Sequence, residues 1–133
     1  MTQSENIIRT RDQKRAELVF PKVRELEGGN LAKKYGAVAL SAATLIRTAG
    51  LVQAIAFYEA KDKDHHKKLL EHLKAELNDL GVLPTGRGLR EYAASCDLLT
   101  YMRLTRETIA LCQWHKRFAQ SVLKVEPGED DES

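Results

Sequence analysis

Four histidines and two cysteines are the residues whose types could support metal binding or acid–base chemistry. His72 and Glu76 lie four positions apart, so on a helix they would share one face and could form half of a metal site. A complete site in a helical bundle needs further ligands, typically Glu-x-x-His pairs on other helices, and this sequence has no such pair. We therefore expect no metal and no cofactor. We also expect His65 and His66, in the charged stretch KDKDHHKK, to be solvated.

The sequence gives no signal for covalent catalysis or for phosphate-binding loops. Cys96 and Cys112 have no flanking nucleophile motif, and neither GxxxxGK[ST] nor GxGxxG occurs. On one long helix the two cysteines would lie roughly 24 Å apart, whereas a disulfide needs Cα atoms within about 7 Å. We expect reduced thiols that pack in the core of a cytoplasmic protein. The composition thus favours a binding protein, not an enzyme.

The charge of the 133 residues is distributed unevenly along the chain. Residues 125–133 contain five acidic residues and no basic one, which leaves 21 basic against 14 acidic residues in the rest. Such a basic body attracts polyanions, including nucleic acids, although a small domain tolerates this charge for solubility alone. The aromatic residues are spaced for packing and do not resemble a base-stacking platform. Any nucleic-acid contact should therefore follow the phosphate backbone.

Apolar residues recur with helical spacing along most of the chain, and strand-like alternation is nearly absent. The spacing predicts helices near residues 5–26, 31–48, 51–58, 69–80, 89–94 and 97–124. We predict an all-α fold, a single compact bundle of about five to six helices with a long C-terminal helix. Residues 1–124 would form this domain, and residues 125–133 an acidic, disordered tail that shields the body from stray RNA. No apolar run is long enough to span a membrane, and a signal peptide is not expected.

The predicted first and last helices carry the apolar stripes that should build the core. In the first helix, Pro21 should cause a kink or an irregular turn, and the stripe comprises Ile8, Ala16, Val19, Val23 and Leu26. The last helix has two adjoining stripes, so it either centres the core or also meets another subunit. The first stripe comprises Leu98, Met102, Thr105, Ile109 and Cys112. The second stripe comprises Leu111, Trp114, Phe118 and Val122.

Three stretches, taken together and in order, resemble one protein family. They are QKRAEL at 13–18, Lys34-Tyr35 followed by LIRTAGLVQAIAFYEAK at 45–61, and YMRLTRETIALCQWHKRFAQSVL at 101–123. This pattern resembles the small subunit of the Cmr complex, the type III-B CRISPR ribonucleoprotein that carries a guide RNA and silences matching RNA. The sequence departs from the family pattern at Ala43, Ala49 and His115. His115 lies within the usual Trp-Leu-Lys-Arg, and none of the departures removes a charge.

The resemblance implies a non-catalytic, all-helical subunit that stacks in several copies beside the backbone subunits. Its partners would be guide RNA and target RNA, copies of itself, and the backbone and large subunits of the complex. The small subunit would hold the guide–target duplex through its positive surface, while base pairing supplies sequence specificity. Arginine suits phosphate through its planar fork. The predicted phosphate contacts, from the matched motifs, are Arg15, Lys34, Arg47, Lys61, Arg106, Lys116 and Arg117.

Several alternatives stay open from the sequence alone. The chain could be the small subunit of a related type III-A complex, although the Gly50-Leu51 motif argues against this. It could be a protein–protein spacer without RNA contact, or a small helical metalloenzyme or nuclease. For Arg47 and Arg117, the alternative to a phosphate contact is an intramolecular ion pair with Glu107 or Glu59.

Overall fold

The computed structural model describes residues 8–127, and within these residues the chain forms helices and no strands. The elements are α1 (Arg11–Arg24), α2 (Ala32–Ala49), α3 (Leu51–Lys61), α4 (Asp64–Asp79), α5 (Leu89–Ser95) and α6 (Leu98–Ser121). The predicted all-α bundle with a long last helix is therefore confirmed.

Helix α1 begins later than the apolar spacing predicts. Thr10 and Gln13 form a capping box: the Thr10 hydroxyl accepts from the Gln13 N–H at 3.0 Å, and the Gln13 side chain accepts from the Thr10 N–H at 2.7 Å. The helix therefore starts at Arg11, and Ile8, expected in the core, is 95% exposed instead. The predicted start near residue 5 lies outside the described residues. Pro21 does not end the helix, which continues to Arg24.

Helices α2 and α6 pack antiparallel at the centre of the bundle. Near the start of α2, the Tyr35 hydroxyl lies 2.9 Å from Nδ1 of His115 in the second half of α6. Just beyond the end of α2, the Val52 N–H donates to the Tyr101 hydroxyl near the start of α6, at 3.4 Å. The small side chains of α2 allow close packing there, and the buried ones are Ala39, Ala42 and Ala43. Asp97 caps α6, its side chain accepting from the Thr100 N–H at 2.9 Å.

The prediction that His65 and His66 are solvated is wrong. Helix α4 begins at Asp64, so both histidines lie in its first turn, where they are 4% and 0% exposed. Asp64 and Lys67, the charged neighbours in the same turn, are exposed on its outer face. The His66 ring packs against Tyr58 of α3, with ring centroids 5.3 Å apart. Burial, and then the charge of His65, lowers the pKa of His66 to about 4, so the ring is neutral at pH 7.

The first predicted stripe of α6 is buried only towards its C-terminal end. Cys112 is fully buried, whereas Leu98 and Met102 are 70% and 46% exposed. Leu99 beside them is 77% exposed. Within residues 8–127, no other element covers this side of the first two turns of α6. We call Leu98, Leu99 and Met102 the apolar strip.

The chain that follows α6 folds back onto α2. Lys124 adopts a left-handed backbone conformation (φ 61°), and the Val125 N–H then donates to the Ala119 carbonyl at 3.0 Å. Val125 is 1% exposed and packs against Gly36. A Cβ at Gly36 would lie 2.9 Å from the Cβ of Val125 and closer still to one of its methyl groups. Val125, assigned from the sequence to the tail, is thus part of the packed body; residues 128–133 lie outside the described chain.

We predict that Gly36→Ala lowers stability, although glycine-to-alanine inside a helix ordinarily adds about 1 kcal/mol. The new methyl group overlaps Val125, and overpacking of this kind costs about 1–3 kcal/mol. Urea unfolding of Gly36→Ala, Val125→Ala and the double variant would measure the effect. The double variant should lose less stability than the two single losses combined. An increase in stability in Gly36→Ala alone would show that Val125 does not pack there.

Candidate nucleic-acid interface

A buried polar network joins four helices inside the bundle. Glu76 of α4 and His115 of α6 are both 0% exposed, and Nε2 of His115 lies 3.0 and 2.9 Å from the two carboxylate oxygens of Glu76. The ammonium of Lys22, from α1, lies 3.6 Å from the same carboxylate. On the other side of His115, the Tyr35 hydroxyl bridges to Nδ1 of His72 at 2.7 Å. Sequence reasoning paired His72 with Glu76 but missed Tyr35 and His115.

Two arrangements of protons are compatible with the hydrogen bonds among Tyr35, His72, His115 and Glu76. The Tyr35 hydroxyl can donate to Nδ1 of His115 and accept from Nδ1–H of His72, while His115 donates through Nε2 to Glu76. Alternatively, Tyr35 donates to His72, and His115 is an imidazolium that donates through both nitrogens. Burial, and then the charge of His115, lowers the pKa of His72 to about 3, so this ring is neutral in both cases. Burial, and then the charge of Glu76, raises the pKa of Tyr35, so its hydroxyl keeps its proton.

These groups are paired with one another and do not point towards a common position for a metal ion. Glu76 faces His115 and Lys22, whereas His72 faces Tyr35, so the two do not converge on a common point. Among residues 8–127, no group of three His, Cys, Asp or Glu side chains could hold a metal ion. Burial raises the pKa of the Cys112 thiol, and the charge of Glu76 raises it further. Cys112 is therefore a protonated thiol at neutral pH and a poor nucleophile.

We predict that His115→Leu destabilises the protein by about 3 kcal/mol, because it leaves the buried Glu76 carboxylate with Lys22 alone. Adding Glu76→Met should recover most of the loss, because replacing a buried ion pair by apolar side chains of similar volume is often neutral. Urea unfolding measures both effects, with Gln113→Leu on the exposed face of α6 as the matched control. If His115→Leu alone were as stable as the natural chain, the network would not hold the helices together.

A second polar cluster fixes α1 against α6 at the surface and includes one predicted phosphate contact. The guanidinium of Arg15 forms an ion pair with Glu107, and Arg11 contacts the same carboxylate at 3.3 Å. Burial raises the pKa of Glu107, but hydrogen bonds and charge from the two arginines outweigh it, so the pKa lies below its ordinary value. Asp12 accepts from the Trp114 indole N–H at 2.9 Å, and this hydrogen bond lowers the pKa of Asp12. Arg15 therefore has an intramolecular partner.

The other six predicted contacts are differently placed. The side chains of Lys34, Arg47, Arg106, Lys116 and Arg117 make no ion pair or hydrogen bond with any residue in the described range. The two acids considered as partners for Arg47 and Arg117 are engaged elsewhere, since Glu107 binds Arg11 and Arg15, and Glu59 accepts from Arg90 at 2.7 Å. The ammonium of Lys61 lies 5.2 Å above the ring of the exposed Phe57.

These cations do not converge on one pocket but spread over the α2–α6 pair. Lys34 and Lys116 flank Tyr35 and His115, whose hydrogen bond puts them at the same level of the bundle. Lys34 and Arg117 are exposed, and Lys116 is half-buried. On α6, positions 106 and 117 are eleven residues apart, which places them on one face about 16 Å apart along the axis. Arg103, also exposed, lies one turn before Arg106. An extended ligand suits this arrangement better than a compact one.

The apolar strip continues into a shallow groove on α6. The groove is lined by Tyr101, Met102, Thr105, Arg106 and Ile109, and its surface is apolar. A groove of this kind beside exposed leucines is typical of a surface that contacts another protein. No helix among the described residues is long and apolar enough to cross a membrane.

The fold and surface of residues 8–127 together define a small helical protein with a buried polar network and a set of surface cations that lack acidic partners within that range. Residues 11–122 match the sequence model of the family described as CRISPR-associated protein (Cas_Cmr5), and the chain belongs to this family. It is 41% identical over 120 residues to the CRISPR system Cmr subunit Cmr5 of Thermus thermophilus, a match that covers 88% of this chain and 99% of the relative.

The crystal structure of a CRISPR-associated Cmr5 family protein, also from Thermus thermophilus, superposes with a TM-score of 0.75. The two chains are 40% identical, and the match covers 89% of this chain and all of that one. The alternative assignment to the small subunit of a type III-A complex is therefore set aside. The seven predicted phosphate contacts stay predictions.

Proposed function

We propose that this protein is a non-catalytic small subunit of a Cmr ribonucleoprotein, which helps to hold the duplex of guide RNA and target RNA. Membership of the Cmr5 family supports the place in the complex. The observation that carries the RNA contact is the set of cations on α2 and α6 that have no acidic partner within residues 8–127. The complex and its RNA substrate would place the protein in the cytoplasm.

The proposed contact is electrostatic and follows the RNA backbone. Lys34, Arg47, Arg106, Lys116 and Arg117 can form charge-assisted hydrogen bonds to phosphate oxygens without first breaking an ion pair to the described part of the chain. Their spread along the α2–α6 pair matches a ligand that is long and regularly charged. Sequence specificity then comes from base pairing between guide and target, so the protein needs no contact to base edges.

The apolar strip and its groove support the second half of the proposal, stacking against further copies and other subunits of the complex. Leu98, Leu99 and Met102 are exposed on the same helix that carries Arg106 and Arg117. If neighbouring copies contact one another through the start of α6, the cations on α6 of each copy would lie next to those of the next copy. The same surface also favours a second candidate function, a protein–protein spacer without RNA contact.

We predict that Lys34→Ala, Arg47→Ala and Arg117→Ala each weaken RNA binding, and that the loss of affinity is the same for RNAs of different sequence. Each substitution should lower the slope of log affinity against log salt by about one, because one phosphate contact is lost. Binding would be measured across a salt series with the protein alone and after reconstitution with the other Cmr subunits. Lys74→Ala, an exposed lysine on α4, is the matched control and should leave the slope unchanged.

The outcome for Arg15 separates a binding role from a structural one. Arg15→Ala should reduce the free energy of unfolding, because Glu107 loses its main partner, and it should affect RNA affinity less than Arg117→Ala does. If no variant changes RNA binding while the protein still enters the complex, the spacer function replaces the one proposed.

We predict that Leu98→Ser combined with Met102→Ser reduces the number of copies that enter the reconstituted complex. Both side chains are exposed, so the free energy of unfolding should change by less than about 0.5 kcal/mol. Native mass spectrometry counts the incorporated copies, and Ile8→Ser, another exposed apolar position, serves as the control. Unchanged incorporation would exclude the apolar strip as a subunit contact.

A further inference from the structure

Trp114 of α6 lies against the start of α1, and two contacts fix the orientation of its indole ring. The indole N–H donates to the Asp12 carboxylate at 2.9 Å, and the ring packs against Phe118 one turn later, with ring centroids 5.4 Å apart. Phe118 in turn packs edge-on against Phe20 of α1, at 5.2 Å. Trp114 is nevertheless only half-buried. Part of a well-positioned aromatic ring therefore faces solvent.

A cleft of about 450 Å³ opens beside this ring, between Trp114 and the start of α1. Its volume falls in the range of about 300–1,000 Å³ that is typical of small-ligand sites. The polar side chains that line it supply both N–H donors and oxygen acceptors. They are those of Arg9, Thr10, Asp12, Gln13 and Glu17.

Trp114 and Asp12 also line a second cleft, of about 330 Å³, together with Gln113 and Arg117. Arg117 is exposed, its side chain has no acidic partner within residues 8–127, and it is one of the seven predicted phosphate contacts. Residues 114 and 117 are three positions apart on α6, so their Cβ atoms are neighbours at about 5–6 Å. The two side chains thus place a flat aromatic ring beside a cation that is available to bind a ligand.

A nucleotide carries the matching pair of groups, an aromatic base and a phosphate that are joined through one ribose. Any base can stack on an indole ring, and arginine binds phosphate through its planar fork. The acids beside the ring are paired, Glu17 with Arg9 and Asp12 with Arg15, so neither carboxylate is left to repel the phosphate. An aliphatic or an acidic peptide would use only one of the two groups, which favours RNA as the ligand.

We propose that Trp114 stacks on an unpaired base of RNA while Arg117 binds an adjacent phosphate. This inference rests on the proposed function and deepens it, because it adds a stacking contact to contacts that are otherwise electrostatic. With one exposed ring, the site takes one base at a time, from single-stranded RNA or from an unpaired position of the duplex. Purines should bind better than pyrimidines, because their larger rings overlap more of the indole.

The fluorescence of Trp114 tests the proposal directly, because the chain has no other tryptophan. In the natural chain, a short oligoadenylate should quench the emission as a base stacks on the ring. An abasic oligomer with the same number of phosphates should bind through Arg117 and leave the emission nearly unchanged. Equal quenching by the two oligomers would overturn the proposal, since it would arise from the phosphates alone.

Substitutions separate stacking from phosphate binding by their salt dependence. Trp114→Leu should weaken oligoadenylate binding at least about fivefold at every salt concentration, with the slope of log affinity against log salt unchanged. Arg117→Ala should instead lower that slope by about one. Tyr92→Leu replaces a half-buried aromatic residue of α5 outside both clefts and should bind as the natural chain does.

Trp114→Phe covers the case in which Trp114→Leu does not fold, as measured by urea unfolding. It keeps an aromatic face but loses the hydrogen bond to Asp12, and it should retain part of the affinity. An affinity of Trp114→Phe for oligoadenylate no higher than that for the abasic oligomer would contradict stacking at this position.

The remaining outcomes distinguish this inference from the proposed function. If oligoadenylate binds with the expected salt slope but neither quenches Trp114 nor binds Trp114→Leu more weakly, the proposed function stands and the inference fails. If the emission changes when the other Cmr subunits are added, and RNA adds nothing further, the clefts bind a protein and the inference fails. If no oligomer binds at any salt concentration, the proposed function and the inference both fail.

Discussion

Glu76 is fully buried, and its carboxylate lies between the imidazole of His115 and the ammonium of Lys22. Tyr35 extends the same network to His72, so hydrogen bonds link α2, α4 and α6, and the Lys22–Glu76 ion pair adds α1. Apolar contacts alone tolerate small shifts between helices. A buried carboxylate tolerates few, because its desolvation is compensated only when the donors are in place. This constraint fixes the relative positions of the helices on which the outer surface depends.

The outer surface divides its cations into two sets with different roles. Arg11 and Arg15 bind Glu107 and hold α1 on α6, so they belong to the bundle. The side chains of Lys34, Lys116 and Arg117 have no such partners within residues 8–127, so their charges are available to bind a ligand. The Tyr35–His115 hydrogen bond sets Lys34 and Lys116 at one level, so the internal network also positions the cations of the proposed interface. Val125, which packs against Gly36, lies at the same end of the bundle.

The sequence predicted the helices well, because apolar spacing and capping residues are local properties. Asp97 illustrates this, as its cap is decided by the next three residues. The burial of His65 and His66 was not predictable in the same way, because it depends on Tyr58 from another helix. Arg15 and Arg117 look alike in sequence, and only the distant Glu107 distinguishes them. His115 offered one overlooked signal: with Cys112 and Ala119 it follows the apolar register of α6.

The most direct test of RNA binding by this chain is ultraviolet cross-linking in the reconstituted complex carrying a guide–target duplex, with the adducts located by mass spectrometry. We predict RNA adducts on the peptides of this chain that contain Lys34, Lys116 and Arg117. We expect none on the exposed face of α4, which carries Lys67 and Lys74. Adducts on neighbouring subunits but none on this chain would contradict an RNA-holding role and leave the protein a spacer.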